Sequence, residues 1–254
     1  MTRLGNFTHV DWGDRTVNQI CISIDDVKGI FKVLKSETIK SIFETRTLGF
    51  LQEMHRVYGT PFDLYCTYRH MNYSLEDVSE KYRDEFVKNQ NWLRFGFHCI
   101  EENDKYSDLN EQEFKSVYES FLFNLKRVTG QDGSIERLRL HAFAGNREMC
   151  RVLRESGVKI LLSSDDNRQN YYLDQNKNDL LRNNGIYEDK DEDIVFISSC
   201  KRLENVEDIA SELIADTKLC QRLVPIFTHE WMLDDVNVRR RLEECCQIMQ
   251  KMRT

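Results

Sequence analysis

Two adjacent acids, Asp25 and Asp26, end the apolar run Ile20-Cys21-Ile22-Ser23-Ile24, and three histidines stand at comparable places further along the chain. His98 follows Phe95-Gly96-Phe97, His141 lies between Leu140 and Ala142, and His229 follows Ile226-Phe227-Thr228. A carboxylate with two imidazoles is the donor set of a three-ligand catalytic metal site, which leaves a coordination place for water. Each residue also has a plainer reading. Paired acids at a strand end ordinarily make a solvated turn or a helix cap, and a lone histidine on an apolar strand is ordinarily a hydrogen-bonded core residue. What favours chemistry is that all of them fall at the same end of their strands, because a site drawn from many strand ends is how barrel enzymes are built. The other histidines do not join them: His55, beside Met54, reads as helix packing, and His9 and His70 lie near loops.

The elements that must position these groups alternate along the chain. Apolar, β-branched runs predict strands over 20–24, 62–68, 92–98, 138–143, 158–162, 194–198 and 224–227. Apolar residues at three- and four-residue spacing predict helices over 39–58, closed by Gly59, and over 74–87. Asn110 and Glu113 spell a capping box for a helix closed by Gly130. Further helices are expected over 146–156, stopped by Gly157, around 206–213 and over 236–252. The fold class expected is α/β: one domain over residues 1–254, a distorted parallel (β/α) barrel of about seven strands, similar to a TIM barrel. The Asn- and Asp-rich stretch 167–193 reads as a polar surface loop or a substrate-covering insertion.

Composition narrows the function. The 254 residues are 40% hydrophobic, enough for one large core, and only two prolines and eleven glycines exclude a low-complexity polymer. Acids outnumber bases 43 to 36 with no sustained basic run, which disfavours nucleic acid and anionic membrane as partners. Residues 1–14 lack the apolar core of a secretory signal and no stretch is long enough to span a bilayer, so a cytoplasmic location is expected. The eight cysteines are irregularly spaced with no C-x-x-C pair and read as reduced, buried thiols.

In order, the motifs resemble those of the polysaccharide deacetylase-like, or NodB-like, metal hydrolases. Ser23-Ile24-Asp25-Asp26-Val27 is similar to the family's first motif and Gly96-Phe97-His98 to its second. Arg139-Leu140-His141-Ala142-Phe143 is similar to the third, Ser163-Ser164-Asp165-Asp166 loosely to the fourth, and Ile226-Phe227-Thr228-His229 to the last. The resemblance implies Asp25 as catalytic base, Asp26 and His98 as metal ligands, His229 as catalytic acid and Arg139 as the partner of the base. It departs at Val27, where the family has glycine, and at Glu102, where it has a second histidine four positions after the first. The diacetylchitobiose deacetylase branch, which takes its second histidine from a later strand, points to His141 as third ligand, with Glu102 in reserve.

The activity so implied is metal-assisted hydrolysis of an acyl group, acetyl above all, from an N-acetylated sugar or small amide. The cofactor is a divalent ion, first of all Zn²⁺, with Co²⁺, Ni²⁺ or Mn²⁺ also suited to the donors. The partner expected is a small molecule or a soluble oligosaccharide, and the oligomeric state is open. Trp92, Asp165, Glu230 and Trp231 are the candidate substrate contacts; Tyr65, Tyr68 and Glu204 are further residues near strand ends. Two alternatives compete: a metal-free glycosidase using a carboxylate pair such as Asp25 and Glu230, and an inactive carbohydrate-binding relic of the fold.

Overall fold

The computed structural model describes residues 20–102, 106–133, 135–199, 201–213 and 223–253. In chain order the elements are β1 (Ile20–Val27), α1 (Gly29–Lys35), α2 (Arg46–Tyr58), β2 (Phe62–Thr67), a small hairpin of β3 (Arg69–His70) and β4 (Tyr73–Ser74), α3 (Arg83–Lys88) and β5 (Leu93–Cys99). Then follow α4 (Glu111–Thr129), β6 (Arg137–Leu138), α5 (Arg147–Glu155), β7 (Ile160–Ser163), α6 (Gln175–Asn184), β8 (Ile186–Asp189), β9 (Ile194–Ser198), β10 (Lys201–Arg202), β11 (Val224–His229) and α7 (Val236–Arg253).

The strands form two arcs, β10-β11-β1-β2-β5, parallel throughout, and β6-β7-β9-β8, in which only β8 runs antiparallel. Read around the arcs, the parallel strands follow chain order, so the architecture is the expected distorted α/β barrel, with ladders interrupted between β5 and β6 and between β9 and β10. At the first seam the Gln131 side chain stands in for a strand: its Oε1 accepts from the Phe95 amide at 3.2 Å and its Nε2 donates to the Leu93 carbonyl at 2.8 Å. Gly96 keeps this seam narrow, since a Cβ there would lie 2.5 Å from Leu138 Cδ2. One cluster of buried apolar side chains contains residues of both arcs.

Local chemistry explains where the elements depart from the sequence pattern. The helix expected over 39–58 begins only at Arg46, because Ser41 and Glu44 box a separate 3-10 turn and Thr45 then caps α2; Gly59 closes it at φ 67°. The helix expected over 74–87 is broken into the 3-10 turns Leu75–Asp77 and Glu80–Tyr82 followed by α3, since Ser74 and Ser79 each bind the amide two residues on. The strand expected over 138–143 shrinks to Arg137–Leu138, and His141–Phe143 is a 3-10 turn with Ala142 and Phe143 at φ 54° and 57°. The expected Asn110–Glu113 box is formed, and α4 ends at Gly130 with φ 74°.

The stretch 167–193 is not a plain loop: it holds α6, capped by Asp174, and β8. Two of its asparagines turn inward, with Asn170 Oδ1 accepting from the Ser164 amide at 2.6 Å and Asn170 Nδ2 donating to Asn178 Oδ1 at 3.0 Å. Residues 209–213 are helical within the region expected to be. Cys21, Cys66, Cys99, Cys150, Cys245 and Cys246 are buried thiols, while Cys200 and Cys220 lie outside the described residues, as do His9 and residues 1–14. Among the described residues no helix is long and apolar enough to cross a membrane.

Candidate metal and catalytic centre

Neighbouring residues on a regular strand point to opposite faces, yet Asp25 and Asp26 are both turned into the protein, 1% and 7% exposed. The cause is local. The ladder between β1 and β2 shifts register between Ile24 and Val27, and Asp26 takes φ 56°, a left-handed conformation that Asp tolerates better than most residues. A second register shift between Cys66 and Thr67 sits opposite His98 on β5. Irregularities of this kind re-aim side chains, and here they aim them at one place.

Asp26 Oδ1 lies 3.2 Å from His98 Nε2 and 3.4 Å from His141 Nδ1, and ligand atoms of the three residues all fall within 4.8 Å of one another. His98 Nδ1 donates to the Arg139 carbonyl at 2.6 Å, which fixes the ring and leaves the Nε2 lone pair facing Asp26. Asp26 Oδ1 is buried without a hydrogen-bond partner among the described residues. Imidazole lone pairs and a carboxylate oxygen converging on one space repel unless a cation or proton lies between them, so this donor set fits a metal ion. Burial pushes the Asp26 carboxyl up, but the His141 and His98 rings outweigh it and hold the group below the usual carboxylate range. His98 is the mirror case: burial lowers it, and Asp26 and Asp25 carry it above the ordinary imidazole value.

Around this triad stand two held groups. Arg139, 1% exposed, donates from Nη1 to Asp25 at 2.9 and 3.0 Å and to Ser23 Oγ at 2.8 Å, and from Nη2 to Ser199 Oγ at 3.0 Å. Its guanidinium lies 4.0 Å from the Phe227 ring centre. His229, paired in register with Asp25 across β11 and β1, donates from Nδ1 to Glu204 Oε1 at 2.8 Å and brings Nε2 to 4.0 Å from Asp26 Oδ2. Glu204 Oε1 also accepts from Thr228 Oγ1 and the His229 amide. Burial raises the Glu204 carboxyl, and His229 more than reverses this, so the group stays below its ordinary value.

Of the residues singled out in the sequence, Asp25, Asp26, His98, Arg139, His141 and His229 therefore meet at one end of the barrel. Trp231 joins the rim, 58% exposed, its ring stacked against His229 with centroids 5.7 Å apart. Asp165 stands exposed on the turn after β7. The others are placed elsewhere. Trp92 precedes β5, at the opposite end of that strand from His98, and stacks on His55 at 4.4 Å, so it is a packing residue. Glu230 is 8% exposed and accepts from the amides of Lys28, Gly29 and Ile30, so its oxygens face the start of α1 rather than a substrate. Glu102 pairs with Lys28 instead of joining the triad. Tyr65 and Tyr68 are buried, donating to the Arg137 carbonyl and to Glu76.

Sequence reasoning missed Ser23 and Ser199, which share Arg139 with Asp25. Ser23 was within reach, since it lies two residues before Asp25 on the same strand and so on the same face. Ser199 carries no local signal.

No protein-family model matches the chain, and no curated protein matches it. Solved structures share its fold. A putative polysaccharide deacetylase from Mycobacterium smegmatis superposes with a TM-score of 0.54 at 11% identity over 96% of this chain and 93% of that one. A mutant of a Bacillus anthracis CE4 family pseudoenzyme, with restored enzymatic activity, gives 0.51 at 9% identity over 92% of this chain and 63% of its own. A 4-alpha-glucanotransferase from Thermococcus litoralis gives 0.55 at 11% identity over 91% of this chain but only 38% of its own. At these identities the likeness establishes the architecture, a distorted α/β barrel, and the chemistry rests on the site itself.

Proposed function

We propose that the chain is a metal-dependent hydrolase that removes an acyl group, acetyl above all, from an N-acetylated sugar or related small amide. The observation that carries this reading is the convergence of Asp26, His98 and His141 donor atoms within 4.8 Å beside a buried Asp25 and a Glu204-held His229. A divalent cation, Zn²⁺ or one of Co²⁺, Ni²⁺ and Mn²⁺, would polarise the acyl carbonyl and bring the pKa of a coordinated water from about 15.7 to about 7. His141 as the third ligand, the feature that resembles the diacetylchitobiose deacetylases, belongs to this proposal.

The chain's own groups supply the proton transfers. Asp25 is the base: Arg139, itself held by Ser23, fixes its carboxylate and balances its charge, so it is poised as an acceptor inside the barrel. His229 is the acid: Nδ1 is tied to Glu204, which fixes the ring and leaves Nε2 facing the site to give a proton to the departing amine. Trp231, exposed beside His229, offers a flat apolar surface to the ring that bears that amine, and Asp165 a polar contact on the rim. A soluble oligosaccharide or small amide in the cytoplasm is the substrate setting that goes with this reading.

The deciding experiment is elemental analysis of the purified wild type and of His98→Ala, His141→Ala and Glu102→Gln, with acetate release from N-acetylated oligosaccharides followed in parallel. The expected result is about one transition metal per chain, lost in both histidine variants and kept in Glu102→Gln. No metal in the wild type after resupply would overturn the proposal. Metal bound without acetate release from any substrate would favour the second reading, a carbohydrate-binding relic, which the fold likeness to a pseudoenzyme keeps in view. The glycosidase reading loses its second carboxylate, because Glu230 is committed to three backbone amides.

A further inference from the structure

We propose that Glu230 is a positioning residue that holds the catalytic acid in register with the metal-bearing strand tip, a role that rests on the hydrolase reading above. The backbone ladder between β1 and β11 ends at the Asp25 and His229 pair, and beyond it the two chains are free to diverge. Glu230 closes the gap one residue later. Its Oε2 accepts from the amides of Lys28 at 2.8 Å and Gly29 at 2.5 Å, and its Oε1 from the Ile30 amide at 2.8 Å and Thr47 Oγ1 at 3.3 Å.

Two details argue that this is more than an ordinary helix cap. Helix α1 has no side-chain cap of its own, and Lys28, at the capping place, sends its ammonium to Glu102. The acceptor comes instead from the residue bonded to His229, so the start of α1, three residues after Asp26, and the acid are tied by one carboxylate. Gly29 is shaped to it: a Cβ there would lie 3.0 Å from both Glu230 oxygens. A carboxylate this buried is costly to keep unless its lone pairs are filled, and four donors fill them.

The metal ligands lie on β1, β5 and the turn after β6, whereas the acid lies on β11. Asp26 stays flanked by Asp25 and Val27, each paired in a ladder, so loosening the clamp is expected to move His229 more than the triad, which separates a positioning role from a stabilising one. The test is Glu230→Gln in the full chain, whose amide group would face N–H donors where an acceptor stood. Metal affinity is expected to stay within about twofold of wild type, while kcat on an N-acetylated oligosaccharide falls about tenfold or more with KM within about twofold. Amide exchange at Lys28, Gly29 and Ile30 should accelerate, and the His229 ring signals in the NMR spectrum should shift.

Unchanged kcat and ring signals despite faster exchange would reduce Glu230 to a helix cap and overturn the proposal. Metal lost in step with turnover would also overturn it, because the triad would then share the clamp. If Glu230→Gln does not fold, Thr47→Val, which removes one donor to Oε1, should give the same pattern in smaller measure, and wild-type ring signals there would count against the clamp. If the wild type itself lacks metal-dependent turnover, the hydrolase reading fails on its own, and the ring signals still decide whether Glu230 holds His229.

Discussion

At the scale of single residues, the site is a set of polar groups each held by a partner that leaves one working face. His98 gives Nδ1 to a carbonyl and keeps Nε2, and His229 gives Nδ1 to Glu204 and keeps Nε2. The same arrangement sets the expected effects of substitution. His229→Ala should cost roughly 10²–10⁴ in turnover, the usual worth of a positioned general acid, with metal content unchanged. Glu204→Gln should lower kcat in the same direction but by less, since the imidazole stays while the carboxylate that orients it is lost. Steady-state kinetics with parallel metal analysis checks both, and a Glu204→Gln enzyme as fast as wild type would remove Glu204 from the account.

At the scale of elements, short strands and seams do the positioning. β6 is two residues long, yet it carries Arg137 into the barrel floor, and the chain just beyond it carries Arg139 to Asp25 and His141 to Asp26. Its approach to β5 depends on Gly96, whose added Cβ would meet Leu138 at 2.5 Å and Ile135 at 2.8 Å. Gly96→Ala is therefore expected to destabilise the protein by roughly 1–3 kcal/mol through overpacking, read from the urea midpoint. Because the seam lies two residues from His98, the same variant should weaken metal binding, measured by competition with a chelator. A neutral effect on both would mean the two arcs slide past one another freely.

At the scale of the whole molecule, two partly exposed arginines on β5 and β6 close around a buried carboxylate on β2, near the amino ends of those strands. Asp63, 1% exposed, meets Arg94 at 2.6 Å and Arg137 at 2.7 Å. Burial drives the Asp63 carboxyl up, and the Arg137 and Arg94 guanidinia outweigh it, holding the group below its ordinary value when folded. A depressed folded value means that ionised Asp63 stabilises the fold above the unfolded carboxylate value of about 4, and that this stability drains away as pH falls through the folded value. Asp63→Asn should cost roughly 1–3 kcal/mol at pH 7, because it takes the carboxylate from two partly exposed arginines. Its denaturation midpoint should also change less than that of the wild type on acidification below about pH 4. Equal acid sensitivity in the two proteins would show that other carboxylates govern the acid limb.

What the sequence by itself determined is whatever depends on near neighbours. The Asn110–Glu113 box, the Gly59 and Gly130 stops and the long strands β1, β5, β9 and β11 are legible because their signals lie within a few residues, and Asp25, Asp26, His98 and His229 are legible because they fall at the ends of such strands. Only the tertiary structure decided the rest. Strands of two residues, such as β6 and β10, have too few positions to show a period and exist because a neighbouring ladder holds them. Whether Glu102 or His141 faces Asp26 turned on Lys28 taking Glu102, and whether Glu230 met substrate or backbone turned on where α1 begins. Trp92 reads like a ligand shelf until β5 is given a direction, which puts it at the opposite end of the strand from His98. Such outcomes rest on contacts between residues far apart in the chain, and a one-dimensional pattern carries no record of them.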